Sequence, residues 1–189
     1  MSTTTSAPLD LAIAEALLRR LGEDLALVID RRFEIDGVRV ERRSSKPTTE
    51  QGVHISFRYG VRNGDAEAHG CLLVPLPEAI SMASYLLLSS EDVVSSKREQ
   101  TQLERATKDA LLEIGNFVSA SIEAALRELL SKKLESKSEG CQGVALGAKP
   151  AFIYVQGEEL LVATARARVH TFPEFELRLV FPIARVKLV

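Results

Sequence analysis

The sequence predicts an α+β domain, with long helices packed on one face of a twisted, mainly antiparallel sheet. Three observations predict it. Residues 98–134 carry apolar side chains at helical spacing. Residues 53–74 read as two strand segments around an Asn63-Gly64 turn, a strong hairpin signal. From Pro150 onward the pattern turns to strands, which resemble an antiparallel meander. Helices and strands are mixed along the chain and the final run is an antiparallel meander, which reads as the α+β class. The chain has 189 residues, 46% of them hydrophobic and 26% charged, which suits one domain with a sizeable core. No linker divides it, so the expected organisation is a flexible tail over 1–8 and a single domain over 9–189.

The elements follow in order. Leu9, Ile13, Leu17 and Leu21 recur at i, i+4 spacing and predict a first helix, with Gly22 as its stop. Leu25–Ile29 is a continuous apolar run and reads as a buried strand; Val38-Arg39-Val40 reads as a short one. Ser44–Gln51 has loop composition. Val53–Tyr59 alternates with period two, and His69–Val74 returns after the turn. Pro75-Leu76-Pro77 breaks that strand, and Glu78–Leu88 predicts a helix with Ile80, Ala83 and Leu87 on one face. Ser89–Ser96 reads as a polar connector. The longest helix, 98–134, aligns Leu111, Ile114, Val118, Ile122, Ala125 and Leu129 in one narrow stripe, at about 100° per residue. Ser136–Gly147, with three glycines, reads as a loop. Strands are expected at Phe152–Val155, Leu160–Val169 and Phe175–Val180, with two or three helices on one face of the sheet.

Several function classes are disfavoured. Twenty-four basic against 26 acidic residues give a net charge of -2, not the basic excess of a general nucleic-acid binder. The start, Met1–Pro8, has no basic n-region or apolar h-region, and no run of about 18 apolar residues occurs, so neither a signal peptide nor a membrane span is expected. Two cysteines, Cys71 and Cys141, make no disulfide framework, and a cytoplasmic location is expected. His54, His69 and His170 are scattered along the chain, with no HxxxH or CxxC, and no metal site is expected from them. No Gly-x-Ser-x-Gly elbow accompanies the serine pairs.

One face of the longest helix carries residues able to do chemistry. Asp109, Glu113, Asn116 and Ala120 are spaced by four, three and four residues and share the side opposite the apolar stripe. A carboxylate and a carboxamide thus stand one turn apart, beside small residues. Gly115 lies inside the helix, where it costs about 1 kcal/mol against Ala, and it points to close approach of a neighbouring element. By spacing alone, such a face is ordinarily a solvated one.

The segment Asp109-Ala-Leu-Leu-Glu113-Ile-Gly-Asn116-Phe-Val-Ser-Ala-Ser121 resembles the signature helix of the CheC/CheX/FliY family of response-regulator phosphatases: Asp or Ser, three residues, Glu, two residues, Asn, then small residues. Gly70–Leu88 is similar to that family's strand, proline turn and short helix. The resemblance covers roughly 53–180. It implies hydrolysis of the aspartyl phosphate on a CheY-like receiver domain. Glu113 would pair with the receiver's active-site lysine, and Asn116 would orient the attacking water. Asp109 and Ala120 would lie in the partner-binding surface. The receiver would supply Mg²⁺, so this chain would need no cofactor of its own. Only one Glu–Asn set is present, since the positions corresponding to Glu113 and Asn116 on the first helix are Thr4 and Ala7; that is closer to CheX. The first proline after Asn116 is Pro150, which makes 132–147 read as an insertion. The resemblance also leaves a homodimer open, since CheX relatives pair through sheet edges. So does a catalytically silent adaptor for signalling or flagellar partners, because function lives in sites rather than folds.

Overall fold

The computed structural model of the chain describes residues 6–130 and 134–183. Among these residues are four helices, α1 (Ser6–Ile29), α2 (Leu76–Leu86), α3 (Glu91–Lys97) and α4 (Arg105–Leu130). The strands are β1 (Phe33–Arg43), β2 (His54–Asn63), β3 (Ala66–Pro75), β4 (Glu135–Val144), β5 (Leu160–Val169) and β6 (Phe175–Phe181). They form one antiparallel sheet in the order β1-β5-β6-β3-β2-β4. The helices cover one face, with α1 over the β1 side and α4 over the β2–β4 side. The expected α+β architecture is therefore the observed one.

The main core lies between helices and sheet. Helical Leu17, Leu21, Ile114 and Ile122 meet the inward residues Phe57, Tyr59, Leu72 and Leu179. Each fully buried side chain of this kind contributes about 1.5–3 kcal/mol relative to exposure. A smaller cluster occupies the reverse face, where Phe152 packs with Cys71, Leu73, Val162 and Val180. Period-two alternation assigns neighbouring strand residues to the two cores: Leu72 faces the helices and Leu73 the other side.

Several sequence expectations are corrected. Leu25–Ile29 is helix, not strand: Leu25 and Ile29 are buried one turn apart while Leu27 between them is 79% exposed. Gly22 does not stop α1, because it is a packing residue; a Cβ there would meet Ile35 at 3.4 Å. The helix ends instead at Asp30 in the left-handed conformation (φ 50°), with the Arg31 N–H bonded to the Ala26 carbonyl. Of the tail expected over 1–8, residues 1–5 lie outside the described residues, and α1 already includes Ser6–Pro8. The polar connector at 89–96 contains α3, docked by buried Val94 and by Glu91, which accepts from Tyr85 Oη at 2.6 Å and Arg31 Nε at 3.2 Å. Arg98 is not in α4; it caps α3 and clamps Glu78 and Ser81, both at 2.6 Å.

The largest correction concerns 136–147. Most of it is β4, paired with β2 from His54↔Val144 to Arg62↔Glu135, an integral edge strand rather than a loop or insertion. Its charges and glycines suit an unpaired edge, which they protect against further strand pairing. Of the helix expected over 98–134, residues 131–133 lie outside the described residues. Phe152–Val155 is not a strand: Phe152 is buried on the reverse face, and Lys46 Nζ holds the segment by donating to the carbonyls of Pro150 and Phe152. Pro182 ends the sheet after Phe181, and 184–189 lie outside the described residues.

Cys71 tests this two-core arrangement. Burial pushes its thiol up to about 12. An unfolded thiol ionises near 8.5, so this residue's contribution to stability is lost as pH rises from there toward 12. In the native chain at pH 8, Cys71 is expected to resist a thiol reagent and to react after denaturation. Rapid native modification of both cysteines would contradict the packing.

Candidate functional site

Helix α4 places the site by its own periodicity. Leu111, Ile114, Val118, Ile122 and Ala125 are buried against the core, which turns Asp109, Glu113, Asn116 and Ala120 outward. Leu129, assigned to the stripe from sequence, is 40% exposed; Leu126 takes the buried place at that end. All four candidate residues are exposed on one side of α4.

Glu113 and Asn116 touch. Asn116 Nδ2 donates to Glu113 Oε2 at 2.9 Å. An amide has two N–H donors and an acceptor oxygen, and this bond uses one donor. Ser119 Oγ donates to the Asn116 carbonyl at 2.9 Å, which leaves the hydroxyl engaged with the helix backbone. Asp109 is less tightly held. Its carboxylate lies 3.9 Å from Arg105 Nε, and both side chains are well exposed. Such an exposed pair is worth little, so exchanging it for a partner's cation would cost Asp109 little.

β4 forms one wall of the site. Gly115 faces it: a Cβ at 115 would lie 3.2 Å from Ser138 Oγ and 3.7 Å from Phe57 Cδ1. The mid-helix glycine thus allows the close approach that the sequence pointed to. Farther along, Glu123 accepts from the Ser136 backbone N–H at 2.8 Å and fastens the start of β4 to α4. Toward the other end, Leu112 is 45% exposed and lies against Gly140, whose Cβ position is 3.8 Å from Leu112 Cδ2. Sequence reasoning missed Leu112. Its signal was available: an apolar residue off the stripe and next to Glu113.

The surface therefore offers a carboxylate, a carboxamide, a second carboxylate and one exposed leucine on a rigid helix. It can accept a cation at Glu113, present an amide to a polar group, and bury the leucine against a partner. No described helix is long and apolar enough to cross a membrane.

Comparison with known proteins gives the fold. No family model matches the sequence, and no curated protein matches it. Solved structures do. FliY from Thermotoga maritima superposes with a TM-score of 0.68 at 15% identity, over 99% of this chain and 94% of that one. FliM from H. pylori, in a FliG–FliM complex, gives a TM-score of 0.69 at 11% identity, over 98% of each chain. The chemotaxis protein CheX from Desulfovibrio desulfuricans gives 0.55 at 15% identity, over 89% of this chain and 97% of that one.

Proposed function

We propose that this chain, which has the fold shared by CheX, FliY and FliM, acts on a phosphorylated CheY-like receiver domain and hydrolyses its aspartyl phosphate. The observation that carries the reading is the hydrogen-bonded Glu113–Asn116 pair on an exposed helix face. Phosphoryl transfer asks little covalent chemistry of a protein; it asks for an in-line nucleophile and charge stabilisation. Glu113 docks the receiver's lysine. Asn116 enters beside the acyl phosphate, accepts a hydrogen bond from the attacking water with its amide oxygen and donates one to phosphate with its nitrogen. Fixing that water removes part of the entropic barrier. Mg²⁺ comes with the receiver. Asp109, Leu112 and Ala120 form the surrounding contact surface. In this reading the chain belongs to chemotaxis or two-component signalling.

Nothing described in the chain covers the pair, which supports catalysis over burial in the chain's own fold. The second reading is an adaptor without catalysis. It is favoured by the likeness to FliM, a structure of which is in complex with FliG. Phosphate release from a Mg²⁺-loaded, phosphorylated receiver separates the two. The wild-type chain is expected to accelerate release, and Glu113→Ala and Asn116→Ala to lose the acceleration with circular dichroism unchanged. Binding to several receivers with no acceleration by wild type leaves the adaptor.

A further inference from the structure

Two glycines one step apart in the β2–β3 ladder open gaps on opposite faces of the sheet. Their pairs are Tyr59↔Gly70 and Gly60↔His69. On the helix face, Tyr59 reaches across Gly70 and its hydroxyl donates to the Val180 carbonyl at 2.8 Å. On the reverse face, the gap over Gly60 collects Glu67 and His69 from β3 and Glu139 from β4. These strands are not neighbours, because β2 lies between them. Their backbones therefore stand about 10 Å apart, twice the strand spacing. Side chains meet across β2 here because residue 60 has none.

The geometry is specific. His69 Nδ1 lies 2.8 Å from Glu139 Oε1. A Cβ at residue 60 would sit 2.8 Å from that same oxygen and 3.6 Å from Glu67 Oε1. Gly60 has no positive φ, so the backbone does not demand glycine there. Glycine inside a strand weakens it and marks a place where something else comes close. One donor atom from each of Glu67, His69 and Glu139 lies within 4.8 Å of the others.

We propose that Glu67, His69 and Glu139 bind a divalent first-row transition-metal ion, with Zn²⁺ as the reference ion. One imidazole and two carboxylates are a mixed donor set that suits Zn²⁺, whereas Ca²⁺ and Mg²⁺ prefer oxygens throughout. Two ligands on one ion stand at most about 4 Å apart, twice a metal–ligand bond of about 2 Å, so a slight closing of the side chains seats it. The two carboxylates balance the ion's charge, and water completes the tetrahedron. Lys137 Nζ competes, lying 3.2 Å from Glu67 Oε1, and the ion takes its place there. Bound, the ion clasps edge strand β4 to β3 across β2. Ser138, which packs against Gly115 of α4, is the neighbour of Glu139, so the clasp steadies the wall beside Asn116. The proposal is independent of what α4 does.

The test is Zn²⁺ titration of the metal-free full chain by calorimetry, with Co²⁺ absorption as a second readout and thermal unfolding with and without Zn²⁺. Wild type is expected to bind one Zn²⁺ saturably and to melt higher with it. Glu67→Gln and His69→Gln are each expected to weaken binding by at least about tenfold. Gly60→Ala keeps all three ligands, displaces only the end of the Glu139 side chain, and is expected to weaken binding with the fold intact. Lys137→Met is expected to tighten it. Absence of saturable binding, or binding unchanged in both His69→Gln and Gly60→Ala, overturns the proposal.

Discussion

Asn116→Ala is expected to lower turnover of a phosphorylated receiver by about a hundredfold, equivalent to about 2.7 kcal/mol in the barrier, with little change in KM. The reason is that the amide acts on water and phosphate while docking falls to Glu113. Glu113→Ala removes both the docking carboxylate and the partner that holds Asn116 Nδ2 at 2.9 Å, so KM rises and kcat falls together. Glu113→Gln separates the two effects. Its amide oxygen still accepts from Asn116, but the attraction for a lysine is gone, so KM rises while kcat is largely kept. Asn116→Asp is nearly isosteric and should be worse than Asn116→Ala, because it loses the donor and places a second carboxylate beside Glu113. Steady-state phosphate release, with the receiver varied, reads all four. An Asn116→Ala variant that changes KM alone, or that is as active as wild type, would remove Asn116 from the chemistry.

Gly70→Ala is expected to destabilise the fold by about 3 kcal/mol or more, lowering the melting temperature by roughly 10 °C. A Cβ at residue 70 would lie 2.3 Å from the Val180 carbonyl oxygen and 2.7 Å from Tyr59 Oη. The first is backbone and cannot swing aside. Relief requires β3 and β6 to part or Tyr59 to leave, and Tyr59 is completely buried. Burial also raises its hydroxyl well above the usual tyrosine range, so it cannot escape as an ion. Tyr59→Phe is the companion variant. It leaves the Val180 carbonyl without that donor but adds no atoms, and should cost about 1–2 kcal/mol. Urea unfolding of the two variants checks the ranking. A Gly70→Ala chain as stable as wild type would show that the Tyr59 bridge does not cross this glycine.

The two candidate sites were unequally legible in the sequence. Glu113 and Asn116 could be found because one helix carries both, and helical periodicity alone places them together and outward. Their hydrogen bond could not be read, since spacing locates side chains on a face without choosing rotamers. The Glu67–His69–Glu139 set was hidden. Glu67 and His69 share a strand face by period two, but Glu139 is 70 residues beyond His69 and lies two strands away in the sheet. No linear pattern reports that a glycine in the intervening strand lets them meet.

By itself the sequence determined the α+β class, the β2–β3 hairpin, the last two strands and the outward face of α4. Each rests on local periodicity or turn chemistry, which neighbouring residues settle among themselves. Only the tertiary structure decided that Leu25–Ile29 continues α1, that polar 135–144 becomes edge strand β4, and that Phe152 folds under the sheet instead of joining it. An apolar run five residues long fits a helix or a strand equally well, and packing on the sheet made it helix. A polar segment has no amphipathic signal of its own; β4 forms because β2 offers it a ladder and α4 leaves room at Gly115 for Ser138. The walls and gaps around both sites are made by such long-range pairings, which depend on the register of distant strands rather than on the composition of any one.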